Sequence, residues 1–277
     1  MSESTETRGL SGQYIQAGGR KIRYYEEGEG ENLLMIHGIG QAMYTFRRNV
    51  HALSEYCRVI TVDLIGHGLS DKPDCAYTID DFTEMLVDFI DAMELKELVL
   101  AGFSTGGIIA LNLAVKHPDL IRKLVLLTPG GLTKTCPATL RRAAKPLLSD
   151  FVFTFFRPHT VRKVLLEAYY DPRMASKSVV NHYFKVLSHH DNLDACLRAL
   201  AAWNDSAVMD SLSLVKAPVY LFWGEDDTWH PLSMMERFED ELPDVYSATF
   251  GECGHLPHEE HAEEFNKKLI EIVTSGD

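Results

Sequence analysis

Ser104 sits in Gly102-Phe103-Ser104-Thr105-Gly106-Gly107, directly behind the apolar run Leu98-Val99-Leu100-Ala101. A serine held between glycines at the end of a strand is a G-x-S-x-G nucleophile elbow. The turn is so tight that side chains two residues either side of the serine would collide, and the hydroxyl is left projecting. The helix predicted at 107–116 aims its N-terminal amides and dipole at the same point. A serine hydroxyl is a weak nucleophile at neutral pH, so it needs a base within hydrogen-bond reach and the base needs an orienting acid. Two later segments supply them. Strand-like 219–223 is followed by Gly224-Glu225-Asp226-Asp227, and strand-like 245–250 by Gly254-His255-Leu256-Pro257. His255 is the base, and either Asp226 or Asp227 the acid, in the chain order Ser, Asp, His.

Two further motifs stand in register with these. His37-Gly38 follows the apolar Leu33-Leu34-Met35-Ile36, and Asp63-Leu64-Ile65-Gly66-His67-Gly68-Leu69-Ser70 reads as D-x-x-G-x-G-x-S. Over nearly its whole length the chain resembles the α/β-hydrolase superfamily, of the esterase-like kind with a helical cap. The resemblance implies Asp227 as the acid, from the G-x-x-D spacing that starts at Gly224, with Asp226 the adjacent rival. Some members of the superfamily place the acid after the sixth strand instead, but Thr128-Pro129-Gly130-Gly131 offers no carboxylate there. The resemblance assigns the oxyanion hole to the backbone amides of Ile39 and Thr105, and gives Asp63 the task of holding the loop through Gly66 and Gly68. It implies neither cofactor nor metal, although His255, His258 and His261 mimic a ligand run.

The function it implies is hydrolysis of a carboxylic ester or lactone with an apolar part, through an acyl-enzyme intermediate. Ser104 argues against haloalkane dehalogenases and epoxide hydrolases, which carry aspartate at the elbow. Meta-cleavage C–C bond hydrolases keep the serine, but they usually have a longer Gly/Pro-rich oxyanion loop and a tryptophan after the histidine. Ile39-Gly40-Gln41 and Leu256 depart from that pattern. A third reading is a small-molecule receptor that keeps the triad and turns over very slowly.

These residues must be positioned by a sheet. A hairpin is expected from 13–17 and 21–25 around Gly18-Gly19, followed by strands at 33–36, 58–64, 98–103, 124–127, 218–223 and 245–250. Being β-rich or continuously apolar, these segments suit a mostly parallel α/β sheet covered by helices on both faces. Between strands, 79–90 places Phe82, Met85, Leu86 and Phe89 at helical spacing, with carboxylates opposite. The alternation stops from 131 to 212, where helical periodicity appears near 138–156, 161–170 and 179–203. The expected organisation is a core of 1–130 and 213–277 interrupted by an all-helical cap at 131–212. Leu147, Leu148, Phe151, Val152, Phe155, Phe156, Tyr169, Tyr170 and Phe184 supply its apolar surface, and a few of them are expected to line an acyl pocket.

The 277 residues carry a net charge of −13, which argues against nucleic acid as a partner. The distribution is uneven: 131–212 holds eleven Lys and Arg against seven Asp and Glu, a net of +4, which leaves −17 on the rest. Arg141 and Lys145 share a helix face, with Arg142 beside them, and this basic patch suits an anionic substrate such as an acyl chain on an acyl carrier protein. Residues 1–8 are polar throughout and no apolar run approaches the ~18 residues of a membrane helix, so no membrane association is expected. Five widely spaced cysteines, Cys57, Cys75, Cys136, Cys196 and Cys253, form no C-x-x-C pair and point to reduced thiols in the cytoplasm. Cys253, two residues from His255, lacks an elbow of its own and reads as structural.

Overall fold

The computed structural model describes residues 10–130 and 155–276. Eight strands form one sheet: β1 Gln13–Ala17, β2 Arg20–Glu27, β3 Asn32–Ile36, β4 Arg58–Val62, β5 Leu98–Phe103, β6 Ile121–Leu127, β7 Val219–Gly224 and β8 Val245–Phe250. Their order is β1-β2-β4-β3-β5-β6-β7-β8. β1 pairs antiparallel with β2, and β2 with β4, while every pairing from β4 to β8 is parallel. The helices described are α1 Val50–Ser54, α2 Ile79–Ala92, α3 Thr105–Lys116, α4 Pro158–Ala168, α5 Lys177–Leu187, α6 His190–Ala202, α7 Ser206–Met209, α8 Ser233–Glu241, α9 Pro257–Glu260 and α10 Ala262–Thr274.

Side chains alternate across a strand, so the apolar runs divide between two cores. Leu34, Ile36, Ile60, Val62 and Leu100 pack with Phe82, Leu86 and Phe89 of α2, Ile108 and Leu111 of α3 and Phe238 of α8. Leu33, Met35, Val59, Val99 and Ala101 face the other way, onto Val50 and Leu53 of α1 and Phe265 and Leu269 of α10. This two-sided cover is why β5 is buried at every position. The stripe expected on α2 is the buried one, and the helix is started by a capping box in which the Thr78 hydroxyl accepts from Asp81 N and Thr78 N donates to Asp81 Oδ2 at 2.8 Å.

Several boundaries differ from the sequence expectation for identifiable reasons. β4 ends at Val62 because Asp63 turns away to hold the next loop. β6 begins at Ile121, where the pairing with Leu98 and Val99 shifts register. The single helix expected over 179–203 is two, α5 and α6, broken where His189 is extended at φ −73° and ψ 127°. His190 and Asp191, at the start of α6, are exposed. Among the described residues the segment between β6 and β7 contains helices and no strand. Arg141, Arg142, Lys145, Leu147, Leu148, Phe151 and Val152, most of the helix expected at 138–156, and Cys136 lie outside the described residues. No described helix is long and apolar enough to cross a membrane.

Candidate active site

The chain leaves β5 and enters α3 through Ser104, which adopts φ 54° and ψ −122°. For a non-glycine residue this is a strained conformation, worth ~1–3 kcal/mol, that the surroundings must hold. They do so through backbone: Ser104 N donates to Leu127 O at 2.9 Å, and Gly107 N donates to Ser104 O at 2.9 Å. A Cβ on Gly102 would lie 2.5 Å from Gly106 O, and one on Gly106 2.5 Å from His37 O. The glycines two residues either side of the serine are thus required by the backbone packing inferred from the motif.

Three side chains from three strand ends converge. The Ser104 hydroxyl lies 3.0 Å from His255 Nε2, and His255 Nδ1 donates to Asp227 Oδ2 at 2.7 Å. His255 and Asp227 are both buried. The second oxygen of Asp227 accepts Trp229 N at 2.8 Å and His230 N at 2.9 Å. Burial pushes the Asp227 carboxyl up, but the His255 imidazole with its hydrogen bond, and His230 with its backbone amide, outweigh it and hold the group below its ordinary value. Asp226 is exposed, and its amide, not its carboxylate, is tied down, by Cys253 O at 2.9 Å. The spacing from Gly224 therefore chose the aspartate that the fold brings to the histidine.

Ile39 and Thr105 also meet, in a way the sequence did not foretell. Ile39 N donates to the Thr105 hydroxyl at 2.7 Å, so this amide already has an acceptor. The loop carrying Ile39 is anchored by His37, whose Nδ1 donates to Gly38 O at 2.8 Å and whose Nε2 accepts Leu64 N at 3.1 Å. Burial lowers the His37 pKa to about 4, which keeps it neutral for that dual role. Asp63 holds the following loop as the resemblance implied: Oδ1 accepts Met43 N and Oδ2 accepts Leu69 N, and a Cβ on Gly68 would collide with the carboxylate.

The histidines of the apparent ligand run go separate ways. His258 is buried against the Thr45 hydroxyl at 2.8 Å, and His261 Nε2 faces Glu252 O. Among the described residues, the atoms close enough to hold a metal ion belong instead to Asp227, His230 and His255, within 4.8 Å of one another. The atoms linking Asp227 to His255 are engaged with each other, and His230 Nδ1 donates to Thr128 O at 3.0 Å. Cys253 is fully buried and its thiol is pushed far up by that burial, which leaves it inert.

Two features had no clear sequence signal. His230 packs edge-on to His255 with centroids 4.7 Å apart, and burial with the neighbouring His255 lowers its pKa to about 4. Glu259 is fully buried behind the site and accepts four hydrogen bonds, from Arg47 at 2.7 Å, Thr45 at 3.0 Å, Tyr169 at 2.6 Å and Tyr183 at 3.0 Å. The two tyrosines belong to the segment between β6 and β7, which also supplies Ala168 O as acceptor for His255 N at 2.7 Å. A charged residue one turn past His255 was the available hint.

Residues 31–262 match the alpha/beta hydrolase fold family, and the chain belongs to it. It is 30% identical over 97% of its length, and 98% of the relative's, to a 2-hydroxy-6-oxononadienedioate/2-hydroxy-6-oxononatrienedioate hydrolase of Paraburkholderia phymatum. Among solved structures, a meta-cleavage product hydrolase from Pseudomonas fluorescens superposes with a TM-score of 0.81 at 23% identity, covering 94% of this chain and 96% of that one. An enol-lactonase from Burkholderia xenovorans does so with a TM-score of 0.80 at 20% identity, covering 95% and 100%.

Proposed function

We propose that this hydrolase is a serine enzyme that cleaves a carboxylic ester or lactone through an acyl-enzyme intermediate. The observation that carries the reading is the unbroken chain from Ser104 through His255 to the buried Asp227. With Nδ1–H held by Asp227, His255 Nε2 carries the lone pair that faces the hydroxyl. As Ser104 Oγ bonds to the carbonyl carbon its proton passes to Nε2, and the carbonyl electron pair moves onto oxygen. When the tetrahedral species collapses, the bond to the leaving oxygen breaks and Nε2 returns the proton to it. Water then repeats the sequence on the acyl-enzyme. Asp227, ionised and fixed by two backbone amides, stabilises the transient imidazolium.

A second reading, C–C bond hydrolysis of a meta-cleavage product, is favoured by the names of the Paraburkholderia and Pseudomonas relatives. Leu256 and the short Ile39-Gly40-Gln41 segment weigh against it. One comparison separates the two. Turnover is followed on p-nitrophenyl butyrate, on an enol-lactone and on a 2-hydroxy-6-oxohexa-2,4-dienoate, with Ser104→Ala as control. Ester or lactone cycling that vanishes in Ser104→Ala supports the proposal. Cycling on the dienoate alone replaces it with the second reading, and release of a single equivalent without cycling points to a receptor.

A further inference from the structure

The Ile39 amide has one proton, and it is committed to the Thr105 hydroxyl at 2.7 Å. A threonine hydroxyl has two lone pairs and one proton, so accepting from Ile39 leaves its own proton to give. Among the described residues no protein group accepts it. Thr105 is 2% exposed, so bulk water does not serve in its place. The hydroxyl also borders the nucleophile: a Cβ on Gly38 would lie 3.3 Å from Ser104 Cβ and 3.4 Å from Thr105 Oγ1. Both groups thus face one small volume that a glycine keeps open.

We propose that the Thr105 side-chain hydroxyl is itself an oxyanion donor, and that the Ile39 amide acts on the reacting oxygen through it. This rests on the serine-hydrolase reading above. When the Ser104 Oγ–carbon bond forms and the carbonyl pair moves to oxygen, the developing charge receives two hydrogen bonds from one residue, Thr105 N–H and Thr105 Oγ1–H. The hydroxyl proton is shared and not transferred. The Ile39 N–H polarises that hydroxyl, because each bond in a donor chain strengthens the next in a buried, low-dielectric site. The start of α3 adds its dipole to the same point. The competing arrangement has the oxyanion evict the hydroxyl and take the Ile39 amide directly.

The two arrangements predict opposite outcomes for Thr105→Val, which keeps the shape and removes the hydroxyl. If the hydroxyl is a donor, kcat on a short p-nitrophenyl ester falls ~10²-fold or more while KM changes little, as for other lost oxyanion donors. Inhibition by an alkylboronic acid, which forms a tetrahedral anionic adduct on Ser104, weakens in proportion to kcat/KM, and Thr105→Ser stays within ~5-fold of wild type on both readouts. If Thr105→Val keeps or exceeds the wild-type kcat, the amide reaches the oxyanion unaided and the inference falls. It falls too if Thr105→Ser and Thr105→Val lose activity together with their melting temperatures, since the side chain would then serve packing. The control is Ser104→Ala. Loss of hydrolysis there with an active Thr105→Val refutes only this inference, whereas wild-type hydrolysis by Ser104→Ala refutes the serine mechanism beneath it.

Discussion

Ser104, His255 and Asp227 form one hydrogen-bonded chain, and on the proposed mechanism they act as a unit. Ser104→Ala, His255→Ala and Asp227→Asn should each lower kcat by ~10³–10⁶, with far less than additive loss in combination. Steady-state kinetics on any accepted ester checks this, and a fluorophosphonate adduct found on another residue would sink the assignment. Asp226→Asn should keep most activity, because Asp227 and not Asp226 meets His255, and the Asp226 amide bond to Cys253 O survives the change. These three residues were legible because each lies in a local pattern, just past an apolar strand, and the strands do the gathering. His230 was not. Its value comes from Thr128 O at the end of a different strand and from the ring of His255, neither of which leaves a trace in the neighbouring sequence. The Thr105 hydroxyl was hidden differently: a backbone amide is there whatever the side chain, so residue type at that position carries no signal for it.

Glu259 joins elements that are distant in the chain. It collects Arg47 and Thr45 from the segment after β3, and Tyr169 and Tyr183 from the segment between β6 and β7. Burial alone would raise its pKa, but the Arg47 guanidinium and the hydrogen bonds from Arg47 and Tyr169 draw it down to about 2. Glu259→Gln leaves the Arg47 charge buried without its partner and should cost ~3–5 kcal/mol, read from urea unfolding. Tyr183→Phe removes one donor from a carboxylate that keeps three and should cost only ~1–2 kcal/mol. A Glu259→Gln loss no larger than that of Tyr183→Phe would mean that the ion pair contributes little. The periodicity in this region was readable as helix, yet the break at Ser188-His189 was not. Neither residue is a proline or glycine, and the chain turns there to bring Asn192 to Gly68 O at 3.1 Å.

At the scale of the molecule, buried neutral histidines set the acid limit. Burial lowers His37 and His230 to about 4, and His67 and His258 to about 3, while partial burial, helped by the Arg47 charge, lowers the half-buried His182 to about 4. Unfolded, each would bind a proton near pH 6.5, so the denatured state takes up protons that the native state refuses. Their contribution is complete above pH 6.5 and is lost as pH falls toward 4, by up to ~1.4 kcal/mol per pH unit for each histidine. Glu259 adds its loss at lower pH, between its ordinary value of 4.5 and about 2. The melting temperature should therefore fall steadily below pH 6.5, even though the approach to neutrality relieves the net charge of −13. A flat profile from pH 7 to 5 would contradict this. The charge was visible in the sequence, whereas the histidines became informative only once the fold had enclosed them.

β6 and β7 are neighbours in the sheet, yet the chain between Leu127 and Val219 must be made before they can pair. At cellular synthesis rates those roughly ninety residues take about 5–20 s to emerge. Until then Leu124, Val125, Leu126 and Leu127, all buried in the finished protein, lack the strand that covers their edge of the sheet. Ser104 is made long before His255, the base that would activate it on the proposed mechanism. On that mechanism no activity is expected before the segment after β8 has been made, and the edge of β6 stays uncovered until β7 pairs with it.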